Sequence, residues 1–511
     1  MHKLLATFTL LFLLTGCVRV PVSPYQFYRA KHAQEDLCVL YEYEFPPDKP
    51  LSLCEAIEIS LQNNLDIRIQ EWEDRVQNEA IVAECLSMMP TFSINSELSE
   101  RNHHTGYSSK PVLAGPTSPP AISSERNVHR VEEDFVWNSL DFGLAYYRAK
   151  KERQSLILQE QRHIRAKQNL ILDIFRAYYR AIVASKAQEK AKQLIEKLKK
   201  REEMLGHQIQ KQLVPEFDAL VNRNQLIEMR VRLLAFENEE RSALTELKAL
   251  MGIAPSMPIT LAEMPINTMQ IQLPDISKME RAALVHRPEL LSQDVKIAMS
   301  VDDVHAAIWQ MYPGVSFFAS NYFDGNKFLS FHNWFTLGMR TAWELLNLPA
   351  KASKARRSHL QQEVDYRTRL SMSMGVLTQV HLAYINVHET IEQYTLAEEL
   401  HSIKNSVWNE AEKLLSKGKT FPAAVLINEV EALFAEVNVY RAYANRMIAL
   451  EQLDNALGKP LLLTNAELKC NQRAANECWE LHQLTWGFDP GEPPQYSKDE
   501  WPETEWFDDP Y

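Results

Sequence analysis

Apolar residues step along this chain at intervals of four and three in two places. Val380, Tyr384, Val387, Ile391 and Tyr394 form one stripe, and Ile171, Phe175, Tyr178 and Ile182 form another. That spacing puts each set on one face of a helix packed against a neighbour in heptad fashion. Proline is absent from residues 121–214 and 350–421. The helices therefore run long, and the pattern predicts them over 144–205 and 350–415. Elsewhere the period drops to two. Residues 91–99, 128–140, 315–323 and 334–343 alternate, with aromatic and β-branched content, and read as four strands joined into two hairpins. A helix over 51–89 is expected before the first hairpin, ending at Pro90. Pro215 and Pro422 stand where new helices begin, and Gly252 and Gly458 where those helices end.

The pattern is written twice. Asn64 and Arg287 stand 223 positions apart, as do Pro90 and Pro313. Beyond the hairpins the offset is 206, shared by Asp141 and Asn347, Tyr178 and Tyr384, Gln212 and Gly418, and Gly252 and Gly458. The difference of 17 residues falls in the hairpin loop, long at 100–127 and short at 324–333. Landmarks that share one offset mark a duplication. The chain thus divides into a first repeat at 51–254, a linker at 255–278 and a second repeat at 279–458, with a tail at 459–511. The fold class is mainly α with a small β part, built from duplicated long helical hairpins.

The N-terminus carries an address. Lys3 precedes an apolar core over residues 4–14, too short to cross about 30 Å of hydrocarbon as a helix, so residues 1–16 read as a secretory signal peptide. Leu14-Thr15-Gly16-Cys17 resembles a bacterial lipobox, whose cysteine is acylated (palmitate) and becomes the first mature residue. Val18 occupies the place of an inner-membrane retention aspartate, which directs the lipoprotein to the outer membrane. Residues 17–50 then form an N-terminal periplasmic segment. No later run of 18 apolar residues exists, so any membrane crossing by the mature chain falls to β-strands.

Composition sharpens this reading. Glycine is only 14 of 511 residues, which disfavours nucleotide-cradling loops. The net charge of −12 argues against nucleic acid as a partner, and most of it lies after residue 460. No P-loop, H-E-x-x-H or G-x-S-x-G motif is present. His103 and His104 share a loop without a second cluster, and His388 sits on a helix face, so neither a metal nor a cofactor is expected. In an oxidising compartment Cys470 and Cys478 could pair as a staple on the tail.

In their order, these segments resemble the TolC-type outer-membrane efflux proteins, over nearly all of residues 51–460. Leu51-Ser52-Leu53 with Asn63-Asn64-Leu65-Asp66 resembles the family's opening. Met89-Pro90-Thr91 and Tyr312-Pro313-Gly314 are similar to its entries into the barrel, and Ser139-Leu140-Asp141-Phe142-Gly143 to its exit. Lys417-Gly418-Lys419 resembles its helix-hairpin tip, and Leu457-Gly458 its ending. Leu65, Pro349 and Gln212 depart from the family pattern, and Ala424 and Ile427 stand where it often has aspartates. The resemblance implies a homotrimer whose four strands per chain close a 12-stranded transmembrane barrel above a periplasmic helical tube. It also implies an exit duct for a tripartite efflux pump or type I secretion system, served by a periplasmic adaptor protein and an inner-membrane transporter, with outer-membrane lipid around the barrel and no enzyme activity.

Site residues follow from that frame. Cys17 is the lipidation site. Lys211, Gln212, Lys417, Gly418 and Lys419 are the tip residues expected to meet the adaptor. Asp218, Ala424 and Glu429 are candidates for the pore mouth, with Asp218 or Glu429 standing in for the missing aspartates. Glu132 and Asp134 fall on one face of a strand, toward a wet lumen that favours cations, while Glu133, Phe135 and Trp137 face the other way. Trp137, Trp334 and Trp343 suit an interfacial aromatic girdle. The rival reading is a coiled-coil lipoprotein that tethers or scaffolds envelope components without a pore.

Overall fold

The computed structural model describes residues 23–41, 50–110, 112–113, 115–211, 215–263 and 273–458. The signal peptide, Cys17, Gln212, the tail with Cys470 and Cys478, and the side chain of Asp218 lie outside them. The chain is mainly helical with a small sheet. In order it forms α1 (Ser23–Leu40), α2 (Leu53–Asn63), α3 (Leu65–Leu86), β1 (Thr91–Glu100), β2 (Thr105–Tyr107), β3 (Ala121–Ser124), β4 (Asn127–Asn138), α4 (Ser139–Gln210) and α5 (Glu216–Leu250). The second half follows as α6 (Ile276–His286), α7 (Pro288–Trp309), β5 (Gly314–Asp324), β6 (Asn333–Ala342), α8 (Leu348–Ser416) and α9 (Pro422–Leu457).

The helices α4 and α8 have 72 and 69 residues, about 100 Å each at 1.5 Å per residue. Both exceed the predicted spans: α4 starts directly after β4, and α8 follows β6 after a short 3-10 turn at Leu345–Asn347. Each is flanked by two shorter helices in line. Above, α3 and α7 pack on α4 and α8; below, α5 and α9 do. The expected single helix over 51–89 is broken at Asn64, and its counterpart at Arg287, each with an extended backbone (ψ 123° and 121°). In copy one the Asn64 side chain replaces the lost helical bonds. Its Oδ1 accepts from the N–H groups of Asp66 (3.0 Å) and Ile67 (3.2 Å), and its Nδ2 donates to Leu250 O (3.0 Å). In copy two Pro288, at the first helical position, starts the new helix.

Gly252 and Gly458 confirm the duplication in three dimensions. Both adopt positive φ (66° and 72°), and each lies on the backbone of the corresponding helix end, Asn63 O in one copy and His286 O in the other. One cluster of fully buried side chains gathers at this level. Leu51, Ile57, Ile67, Ile174, Phe175, Met251 and Met279 are all fully enclosed. A capping box between Ser52 and Glu55 starts α2, and Leu51 bridges to Leu261 and accepts from the Tyr178 hydroxyl (3.0 Å). Both predicted stripes face this core: Ile171, Phe175, Tyr178, Ile182, Val380, Val387 and Tyr394 are buried, with Tyr384 and Ile391 packed against them.

The four long strands form one antiparallel sheet in the order β1-β4-β5-β6. Within this sheet β1 and β6 are the two edges. The long loop adds a small β2–β3 hairpin that alternation did not reveal. Asn326 braces that loop, accepting from Glu125 N (3.1 Å) and donating to Ser123 O (3.0 Å). Cys38 and Cys85 are free thiols, whereas Cys54 is disulfide-bonded.

Candidate channel surfaces

Register decides which strand residues share a face. Phe92 pairs with Phe135, Ile94 with Glu133, Ser96 with Val131 and Leu98 with His129. Carried across β5 and β6, the same face holds Trp137, Phe317, Ala319, Phe323, Phe335, Leu337 and Met339. This face is apolar and exposed. Its polar exceptions are bonded locally: Asn321 Nδ2 donates to Glu133 (3.3 Å), and His129 meets the Ser96 hydroxyl (3.1 Å).

The opposite face holds Ser93, Asn95, Glu97, Arg130, Glu132, Asp134, Ser320, Tyr322, Asp324, Thr336 and Arg340. Glu132 and Asp134 thus share a polar face, with Glu133 behind them. Ser320 donates its hydroxyl to Asp134. Arg130 reaches Asp324 (3.0 Å) and Glu97 (3.8 Å). Trp334 also belongs here, stacked on Tyr322 with ring centroids 5.4 Å apart. It is therefore not a member of an apolar-side girdle, because its partner in register is Tyr322. Trp137 does sit on the apolar face, stacked on Phe317 at 5.9 Å, while Trp343 donates its indole N–H to Met311 O (3.0 Å) below the sheet.

At the far end of the helices are two tips. Lys211 caps α4 and is exposed. Gly418 closes α8 in a Schellman motif: its φ is 68°, its N–H donates to Leu415 O, and the Lys419 N–H donates to Leu414 O, both at 2.9 Å. Lys417 and Lys419 are exposed beside it. Sequence reading passed over Phe217 and Phe421, which project from the two tips 77% and 79% exposed. The signal was present, an aromatic ring beside each helix-starting proline.

The mouth candidates lie on the shorter helices of these hairpins. Asp218 is in the first turn of α5, and Ala424 in the first turn of α9, half-buried. Glu429 is paired with Lys197 of α4, and one heptad further Glu436 is paired with Lys190. Glu431 takes Arg232 of α5 (3.2 Å) and Lys404 of α8 (3.6 Å). The carboxylates of α9 thus bind the two hairpins to each other. At the helix break of copy two, Arg287 is buried beside the half-buried Arg165 and Glu289, and Arg165 Nε lies 2.7 Å from the Glu289 carboxylate. Burial, and then the Arg165 charge, push the Arg287 guanidinium down to about 10, against the pull of Glu289. No group of metal-ligating side chains occurs among the described residues.

No family model matches the chain, and no curated protein matches it in sequence. Solved structures do match. The outer-membrane channel OprN superposes with a TM-score of 0.63, covering 82% of this chain and 95% of its own, at 16% identity. The CmeC outer-membrane channel of Campylobacter jejuni gives 0.67 over 83% of this chain and 89% of its own, at 14% identity. The MtrE outer-membrane channel of Neisseria gonorrhoeae, solved in its open state, gives 0.62 over 80% and 89%, at 15% identity. With its repeated long hairpins, its helix breaks at Asn64 and Arg287 and its four-stranded sheet, this chain has the fold of the TolC-type outer-membrane channels.

Proposed function

We propose that the chain is a trimeric outer-membrane channel, the exit duct of a tripartite efflux pump or type I secretion system. It does no bond chemistry and conducts passively what an inner-membrane transporter and a periplasmic adaptor deliver. One observation carries this reading: a two-faced sheet, apolar on one side and polar on the other, with unpaired edges at β1 and β6. Open edges in lipid leave backbone groups costing several kcal/mol each, so the edges of one copy must meet those of the next. Three copies bring twelve strands, with the polar face around an aqueous lumen.

The helices support the same closure. On α3 an exposed stripe runs through Leu65, Ile69, Trp72, Val76, Val82 and Leu86, and on α8 another through Leu360, Val364, Leu370 and Met374. The sheet order and the packing of α3 on α4, α4 on α7 and α7 on α8 leave these stripes on the two outer flanks. A neighbouring copy covers both. Lipid at Cys17 anchors the ring, and the adaptor meets the tips at Lys211, Gln212, Lys417, Gly418 and Lys419, with Phe217 and Phe421 beside them. Asp218 lines the mouth, and the polar face with Glu132 and Asp134 favours cations.

Native mass spectrometry of the detergent-extracted mature protein tests the closure. A complex of three protomer masses that survives dilution is expected. A monomer under gentle extraction refutes the ring and moves the pore-free tether to the front. Two variants test the finer claims. Cys17→Ala leaves an unprocessed precursor without a lipid mass shift, and Asp218→Ala weakens the cation selectivity of single channels.

A further inference from the structure

Most charged groups on the polar face of the sheet are already engaged. Arg130 holds Asp324 and Glu97, Ser320 holds Asp134, and the Arg340 guanidinium lies 5.5 Å from the centre of the Phe318 ring. One level of the sheet differs. There Glu132 of β4 stands directly opposite Tyr322 of β5, which stands opposite Trp334 of β6. The two rings are nearly parallel and stacked, 14° apart, and Trp334 is 42% exposed. Side chains opposite each other in an antiparallel pair have Cβ atoms about 5 Å apart, so the carboxylate borders the aromatic pair. No hydrogen bond or ion pair engages the Glu132 carboxylate among the described residues.

We infer that Glu132, Tyr322 and Trp334 form a shelf on the channel wall that holds lipophilic organic cations in transit. A delocalised cation bearing aromatic or alkyl groups fits both halves of the site. The outer faces of the stacked pair attract its charge and cover its apolar surface, and the unengaged carboxylate supplies the counter-charge. A small hydrated inorganic cation gains only the second half. The Arg340–Phe318 contact shows the same wall using a ring face for a cation of its own. The inference rests on the channel reading, because the shelf lines a lumen only when the ring is closed, in which case it occurs once per copy.

The test is single-channel recording of the mature protein in planar bilayers with potassium chloride, adding tetraphenylphosphonium or tetramethylammonium. Tetraphenylphosphonium is expected to block the potassium current at concentrations at least about 10-fold lower than tetramethylammonium. Its half-blocking concentration should rise about 5-fold in Glu132→Gln and in Trp334→Leu, and Trp334→Phe should recover most of the loss. Glu133→Gln, on the opposite face, should leave the block unchanged. Equal block by the two cations in the wild type overturns the shelf whatever the variants do, and so does equal sensitivity of Glu132→Gln and Glu133→Gln. Absence of any potassium current is a different result, and it sinks the channel reading itself.

Discussion

Substituting alanine for single glycines separates two costs that usually arrive together, backbone strain and steric overlap. Gly206 lies within α4 with nothing within 4 Å of a built Cβ, so Gly206→Ala should stabilise by about 0.5–1 kcal/mol through helix propensity alone. Gly418 has a φ of 68° with the same open space, and Gly418→Ala pays only for the left-handed backbone, about 1–2 kcal/mol. Gly252 and Gly458 combine positive φ with overlap. A Cβ would stand 2.5 Å from Asn63 O and 2.8 Å from His286 O, respectively. Those carbonyls belong to the ends of packed helices and cannot swing aside as a flexible side chain would. Adding an overpacking cost of about 1–3 kcal/mol gives roughly 2–5 kcal/mol for each. Urea unfolding of the mature protein in detergent, followed by far-UV circular dichroism, should therefore rank the midpoints Gly206→Ala highest, then wild type, then Gly418→Ala, with Gly252→Ala and Gly458→Ala lowest and close together. If Gly252→Ala unfolds at the same midpoint as Gly418→Ala, the overlap with Asn63 is of no consequence and the reasoning is refuted.

Asn64→Ala should destabilise by about 1–2 kcal/mol, since it removes a cap and a donor to Leu250 O. Asn64→Asp, which keeps only the cap, should fall between it and wild type in the same urea assay. His163 of α4 faces Asp74 of α3 at 3.2 Å, with Glu71 and Lys167 nearby. Burial first, then Lys167, holds its pKa below the usual imidazole value, outweighing Asp74 and Glu71. The folded state therefore prefers the neutral ring. That stability is complete above the unfolded pKa of about 6.5 and is lost as pH falls through the lower folded value. The hydrogen-exchange protection of α3, corrected for the intrinsic rate, should fall on acidification in the wild type and much less in His163→Gln; identical pH profiles would exclude His163 as the cause. A double-mutant cycle on Lys197 and Glu429, whose side chains are 53% and 20% exposed, should give a coupling of about 0.5 kcal/mol. A coupling above about 2 kcal/mol would mean the pair is shielded from water.

The duplication was legible because prolines and glycines mark ends that only they can make. Pro90 and Pro313 terminate helices, and Gly252 and Gly458 both turned out to need positive φ. The strands were legible from alternation, and the stripe through Phe175 and Tyr178 from helical spacing. What escaped depends on partners distant in sequence. Asn64 breaks its helix while bonding to Leu250 O, 186 residues away. Trp334 alternates correctly for either face, and only its pairing with Tyr322 assigns it to the polar one. Glu429 reads in sequence as a mouth candidate, and nothing there reveals its partner Lys197, 232 residues distant.

The bare edges of β1 and β6 bear on how such a protein is made. A lone copy offers the cell two unpaired strands and an apolar face, a combination prone to joining any other strand it meets. In the trimeric channel proposed above, insertion cannot precede assembly, so folding, association and entry into the membrane become one concentration-dependent event. It also makes the defect of one copy contagious. In the proposed ring of three, drawn at random from a mixed population, a single damaged edge leaves the whole circle open, and the intact fraction falls with the cube of the healthy share.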